Sequence, residues 1–238
     1  METMGVSQGY TIFPSINLSN DSETIYTGST SGELFSPWHD ISFYNKDDDS
    51  YNMVVEIPRG SVKKMEMFKS EEHNPIKQDT NGDGTFREYP YPICWNYGFI
   101  PQTWEDPEFA NPVVEGLCGD NDPIDVVEIG SSLAKVGTLY KIKILGVYAM
   151  VDSGELDWKV IAINLGDPLA AKINSIEDVE EVMPGELVKI MEWFRDYKTV
   201  NGNPVNRFAL NGVCMGATYA RDVIRETHQL WKKEFLKK

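Results

Sequence analysis

The sequence predicts an α+β fold, mainly β, built on an antiparallel sheet or barrel. Three observations carry this. Extended segments fill the first two-thirds of the chain, most clearly residues 53–57, 139–147 and 157–163. Helical spacing of apolar residues appears only in the last third. Strands followed by helices is the element order of an α+β domain, and 238 residues suffice for one sizeable core.

Residues 1–35 are rich in Ser, Thr, Gly and Asn, with short apolar islands at residues 10–13 and 25–26. They read as a partly ordered N-terminal extension that packs on the body or on a partner subunit. Residues 36–238 read as one domain. Asp47, Asp48 and Asp49 form a solvated turn between extended runs, and residues 53–59 read as a strand ended by Pro58. Lys63, Lys64, Met65, Glu66 and Met67 follow. The methionines alternate with charged neighbours, as in a half-buried strand.

Residues 79–84, Asp-Thr-Asn-Gly-Asp-Gly, imitate the first half of a calcium loop, but Pro90 stands where a bidentate Glu is required. A tight hairpin turn is the simpler reading. Residues 94–101 form an aromatic-rich strand, and residues 151–155 read as a hairpin turn between the strands at 139–147 and 157–163. The Asp152-Ser153-Gly154 triplet also resembles an aspartic-protease motif, yet no second such triplet exists to share a proton with it. Ser175 with Asp178 is an N-cap arrangement for a short helix ending near Pro184-Gly185. Leu187, Ile190, Met191 and Phe194 mark a helix running to residues 197–198, and Ala220, Val223, Ile224, Thr227 and Trp231 mark the last one.

The formal net charge is -15. It repels phosphate backbones and anionic lipid, so no nucleic acid and no membrane is expected as partner. Nothing approaches a run of 18 apolar residues. No Lys or Arg precedes Lys46, unlike a secretory or mitochondrial presequence, and Cys94, Cys118 and Cys214 are odd in number with no CxxC spacing. A cytoplasmic, reducing location is expected.

The most informative stretch is residues 119–130, Gly-Asp-Asn-Asp-Pro-Ile-Asp-Val-Val-Glu-Ile-Gly. Asp120, Asp122 and Asp125 fall within six residues and lead into a strand-like run. Like charges ~4 Å apart repel by roughly 4 kcal/mol at an effective dielectric of ~20. Such a cluster either points apart into water, as an acidic surface turn does, or holds a multivalent cation. Carboxylates without nearby His or Cys are hard ligands suited to Mg²⁺, Mn²⁺ or Ca²⁺.

The rest of the chain adds acids (Asp152, Asp157, Glu56, Glu66), bases (Lys64, Arg87, Lys159, Lys198) and hydroxyls (Tyr97, Tyr197). This inventory suits a metal-dependent reaction on a phosphate compound, in which cations sit on the carboxylates while Lys, Arg and Tyr donate to phosphate oxygens. GxSxG, HExxH and GxxxxGK[ST] patterns are all absent.

Residues 119–126 resemble the signature of family I soluble inorganic pyrophosphatases. Residues 52–59, 96–106, 157–162 and 193–198 are similar to the same family's other blocks, in the same order. The resemblance covers residues ~38 to 235, too many blocks in register for chance. It implies an OB-like five-stranded antiparallel β-barrel with flanking helices. The implied reaction is hydrolysis of pyrophosphate to two phosphates by a metal-activated water, using several Mg²⁺ ions, with Mn²⁺ as a substitute.

The match also implies roles. Asp120, Asp125 and Asp157 would hold the activating metals, and Asp152 and Glu66 those arriving with substrate. Asp122 would accept the proton of the attacking water. Lys64, Arg87, Tyr97, Lys159, Tyr197 and Lys198 would bind phosphate, with Lys64 and Lys198 on the leaving side. Glu56 would orient its neighbours from behind. The Gln102–Asp106 block and the long C-terminal region resemble eukaryotic members, which are typically homodimers.

The chain departs from the pattern between Arg87 and Tyr97, where it is shorter than in fungal and animal-type members. A substrate tyrosine that some members carry falls here near Ile93, with Tyr89 and Tyr91 close by. Two alternatives stand beside this reading: a metal- or phosphate-binding OB-type module without catalysis, and a calcium-binding protein using residues 79–83.

Overall fold

The computed structural model describes residues 10–17 and 22–236. It begins with strands β1 (Tyr10–Asn17), β2 (Ser22–Ser29), β3 (Leu34–Phe35), β4 (Tyr44–Asn45) and β5 (Ser50–Ile57). Strands β6 (Met65–Met67), β7 (Ile76–Gln78), β8 (Asn96–Phe99) and β9 (Asp125–Glu128) follow. A long hairpin comes next, β10 (Leu139–Asp152) with β11 (Glu155–Asn164). Helices α1 (Ile176–Val182) and α2 (Glu186–Asp196), short strands β12 (Arg207–Phe208) and β13 (Met215–Gly216), and helix α3 (Ala217–Phe235) complete the chain.

Five strands form a ring. β5 pairs with β8, β8 with β9, β9 with β11, β11 with β10, and β10 with β5 again. All of these pairings are antiparallel except β9 with β11, which run parallel. The expectation of an antiparallel barrel is corrected at this one pair, and the reason is arithmetic. Strand directions cannot alternate all the way round an odd-membered ring, so one neighbouring pair must share a direction. Here β10 turns back through Ser153-Gly154 and lays β11 beside β9.

β5 is buried along its whole length. Its alternating side chains therefore feed two cores. Met53 and Val55 join Val126, Ile142 and Val160 under α3, through Ala220, Val223 and Ile224. Val54 and Ile57 join Phe99, Val127 and Ile161, which α2 covers with Leu187, Ile190, Trp193 and Phe194. Each such aliphatic side chain contributes about 1.5–3 kcal/mol on full burial. A second sheet, in the order β1-β2-β7-β6 with β3 on β2, packs Met65, Met67 and Ile76 into the α2 side of the core.

The helix signals act as read. The Ser175 hydroxyl accepts from Asp178 N at 3.2 Å while Ser175 N donates to the Asp178 carboxylate at 3.1 Å, capping α1. The calcium-like segment is a hairpin turn: Asn81 N bonds Thr85 O at 2.8 Å, and Asp83 accepts from Thr85 N and Oγ1. Its carboxylates do not converge on a common point, because Asp79 turns away to Lys64 and Arg87. No helix among the described residues is long and apolar enough to cross a membrane.

Candidate active site

The site opens at one end of the barrel, where strand neighbours place charges together. Asp157 and Lys159 are two apart on β11 and therefore share a face. Lys159 is also the register partner of Asp125 across the parallel β9–β11 pairing, and Phe99, two residues beyond Tyr97 on β8, is the partner of Asp125 on its other side. The result is a closed knot. The Lys159 ammonium hydrogen-bonds Asp125 and Asp157, and lies 2.9 Å from the Tyr97 hydroxyl, which itself donates to Asp125.

β6 supplies the next group. Met65 and Met67 face the core, so Glu66 faces the cavity. Lys64 Nζ lies 2.6 Å from Glu66 and 3.2 Å from Asp79, and Asp79 also takes the Arg87 guanidinium at 2.5 Å. Glu56, buried on β5, accepts from Met67 N at 2.7 Å and so ties β6 to the barrel wall. The end of α2 brings Tyr197 and Lys198, and Lys198 pairs with Asp152 at the end of β10.

The acidic loop itself is clamped. Glu105 N bonds Asp122 O at 2.8 Å and Asn121 N bonds Glu105 O at 2.9 Å. Asn121 sits at φ +71°, with its side chain held by the Trp104 indole at 2.9 Å. Gly119 leaves no room for a side chain, since a Cβ there would meet the Glu105 carbonyl at 2.3 Å. Asp122 N then donates to Asp120 at 3.0 Å.

Every residue to which the resemblance assigns a role lines one cavity of about 280 Å³. The acids Glu56, Glu66, Asp120, Asp122, Asp125, Asp152 and Asp157 all line it. Lys64, Arg87, Lys159 and Lys198 supply the opposite charge, and Tyr97 and Tyr197 the hydroxyls.

The carboxylates do not all gather at one point. Asp120 and Asp157 do, but their third partner is Glu105, with oxygens of all three within 4.8 Å of one another. Asp125, Asp152 and Glu66 each face a lysine instead. Glu105 escaped the sequence reading as a site residue. It lies inside the Gln102–Asp106 block, yet nothing local distinguishes it from its neighbour Asp106. Its role arises only because this loop crosses the acidic one. The sequence alone does not choose among Tyr89, Tyr91 and Ile93; Tyr89 lines the cavity, whereas Ile93 is in the core and Tyr91 is 36% exposed.

The electrostatics follow from burial. Desolvation, with neighbouring carboxylates adding to it, pushes Glu105, Asp120 and Glu56 well above the usual carboxylate range. Asp157 is pushed up to about 7 by burial, with Lys159 opposing and Asp125 reinforcing. Burial works against the Lys159 charge, but Asp125 and Asp157 outweigh it and hold the ammonium well above the ordinary lysine value. Burial likewise opposes the Asp152 charge, and the Lys198 contact overcomes it and lowers the carboxyl.

The residues fit a hard divalent cation. The Glu105–Asp120–Asp157 donor set is all carboxylate, and Glu105 Oε2 is a buried oxygen without a hydrogen-bond partner among the described residues. A cation there would relieve the penalty that raises these groups.

Residues 53–232 match the family model for inorganic pyrophosphatase. The chain belongs to the inorganic pyrophosphatase family. It is 53% identical to the chloroplastic soluble inorganic pyrophosphatase 6 of Arabidopsis thaliana over 203 residues, 85% of this chain and 67% of that protein. The type I inorganic pyrophosphatase of Toxoplasma gondii superposes with a TM-score of 0.90 at 42% identity, over 94% of this chain and 99% of the other. A vacuolar soluble pyrophosphatase of Trypanosoma cruzi, N-terminally truncated and in complex with PPi, gives 0.88 at 36% identity, covering 98% and 94%. These matches extend across both the barrel and the helices, and they agree with the mainly β architecture.

Proposed function

We propose that this protein hydrolyses inorganic pyrophosphate to two phosphates in a divalent-metal-dependent reaction. One observation carries the reading: the residues expected for that reaction, drawn from segments far apart in the chain, converge on a single cavity. The similarity to a pyrophosphatase solved with PPi supports it.

Asp120 and Asp157, with Glu105 beside them, would hold the resident metal, and Asp125 would join once Lys159 turns to substrate. Asp152 and Glu66 would take ions that accompany pyrophosphate. Bound divalent ions supply Lewis-acid polarisation of the phosphate and a water acidic enough to react near neutral pH. Mg²⁺ suits the all-oxygen donors, and Mn²⁺ would substitute.

The chain's own groups do the rest. Lys64, Arg87, Lys159 and Lys198 neutralise phosphate oxygens, and the Tyr97 and Tyr197 hydroxyls donate to others. Asp122, partly exposed in the cavity wall, accepts the proton of the attacking water. Glu56 fixes β6, and with it Glu66, through Met67 N.

We further assign residues 1–35 to an N-terminal extension and 36–238 to a single domain, with a homodimer as the assembly and the cytoplasm as the compartment. The homodimer rests on the resemblance to eukaryotic members. Residues 1–9 and 18–21 of the extension lie outside the described residues. Phosphate release from pyrophosphate, measured with and without Mg²⁺, tests the activity: release that requires the metal supports it, and no release at any Mg²⁺ or Mn²⁺ level overturns it.

A further inference from the structure

Asp122 is held from outside the cavity it lines. Lys69, which is not part of the cavity wall, ion-pairs with Asp122 Oδ1 and donates to the Asn121 carbonyl at 2.8 Å. The other cations beside the site's carboxylates, Lys64, Lys159 and Lys198, all line the cavity. Lys69 alone among these lies outside that lining.

Its backbone is firmly placed. The buried Asn74 side chain donates to the Phe68 and Lys69 carbonyls at 3.3 and 3.0 Å, and its oxygen accepts from the Ser36 hydroxyl at 2.6 Å. Asn74 and His73 both adopt positive φ, +44° and +63°, so the chain turns sharply just after Lys69. The β6–β7 connection thus carries a lysine on a fixed base, aimed at the apex of the acidic loop.

An aspartate's last torsion is soft and roughly two-fold, so a carboxylate can swing through a wide arc at little cost. A proton acceptor has to present one oxygen at hydrogen-bond distance from the reacting water. An ammonium on Oδ1 pins the carboxylate plane and leaves the other oxygen for that task. We propose that Lys69 is a positioning residue, which orients the Asp122 carboxylate for proton transfer without touching substrate. The proposal rests on the reading of Asp122 as the proton acceptor. Because both partners are partly exposed, at 29% and 34%, the pair contributes little to folding stability. Its effect belongs in the rate.

The test uses the full chain with Mg²⁺ and pyrophosphate, comparing Lys69→Gln, Lys69→Arg, Asp122→Asn and the double variant Lys69→Gln/Asp122→Asn. Lys69→Gln is expected to lower kcat by about 10- to 100-fold while KM stays within about twofold. Lys69→Arg restores most of the rate, and the thermal midpoint of both stays near wild type. In the Asp122→Asn background, Lys69→Gln adds no further loss. A kcat within about twofold of wild type for Lys69→Gln overturns the proposal. So does a rise in KM at unchanged kcat, which would make Lys69 a substrate ligand. An equal loss in both backgrounds also overturns it, since Lys69 would then act through another group. Undiminished activity of Asp122→Asn alone removes the proton-acceptor reading first, and the proposal with it.

Discussion

Lys159 and Asp157 stand two residues apart on one face of β11, and the ammonium of the first hydrogen-bonds the carboxylate of the second within the cavity wall. The same ammonium serves Asp125 on the neighbouring strand. Lys159 is only 3% exposed, so its removal strands two acids in a low-dielectric setting. For Lys159→Met we expect a loss of about 3 kcal/mol in the metal-free protein, the usual penalty for breaking a buried pair from one side. Urea unfolding in chelator measures it. An unchanged midpoint would show that Lys159 carries no such load.

The metal-free protein should weaken as the pH rises from about 4 to about 7. Asp157 titrates near pH 7 when folded but near the ordinary aspartate value, about 4, when unfolded. Between these values the folded chain binds a proton that the unfolded chain has released, so stability falls with increasing pH, and the Asp157 contribution levels off above 7. Asp120 and Glu105 shift in the same direction and reinforce the trend. The drop is expected to be on the order of 2–4 kcal/mol, and Mg²⁺ added at pH 8 should reverse it. A metal-free thermal midpoint that climbs steadily across this window would contradict the assignment of these acids to a buried cluster.

Glu105→Gln isolates the carboxylate that local sequence did not mark. The glutamine carbonyl can still accept from Trp158 N, which bonds Glu105 Oε1 at 2.8 Å, so the loop should hold. The lost charge should weaken Mg²⁺ binding by about 10- to 100-fold, as for a group at or beside a metal ligand. Calorimetric titration of the metal-free variant decides it, and wild-type affinity would place Glu105 outside the metal site.

The two tyrosines near Ile93 should separate cleanly. Tyr89→Phe removes a hydroxyl from the cavity lining and should change KM or kcat by about 2- to 10-fold, the range for one hydrogen bond. Tyr91→Phe acts on a half-exposed side chain beside Trp193 and should be silent. Equal effects in both would mean that the tyrosines do not differ as the cavity suggests.

Much of this was legible because it is written in short-range pattern. Alternation marked β6 and β10, extended apolar runs marked β5 and β11, the 3.6-residue repeat marked α2 and α3, and Ser175 with Asp178 marked the start of α1. The acidic loop and the blocks around it marked the site. Long-range juxtaposition was not legible. Glu105 meets Asp120 only where two loops cross, and Asp79 bridges Lys64 and Arg87 from what reads locally as a turn residue. Lys69 reaches Asp122 across 53 positions of chain. The parallel β9–β11 pair is a property of ring closure, which no single strand's pattern encodes.

The most direct test pairs wild type with Asp122→Asn, following phosphate release from pyrophosphate in Mg²⁺ while titrating metal binding to each. Rapid release by wild type, a fall of about 10²- to 10⁴-fold in the variant and retained metal affinity are the expected result. An Asp122→Asn enzyme that binds Mg²⁺ and turns over at the wild-type rate would contradict the central claim, because the proton would then have another acceptor.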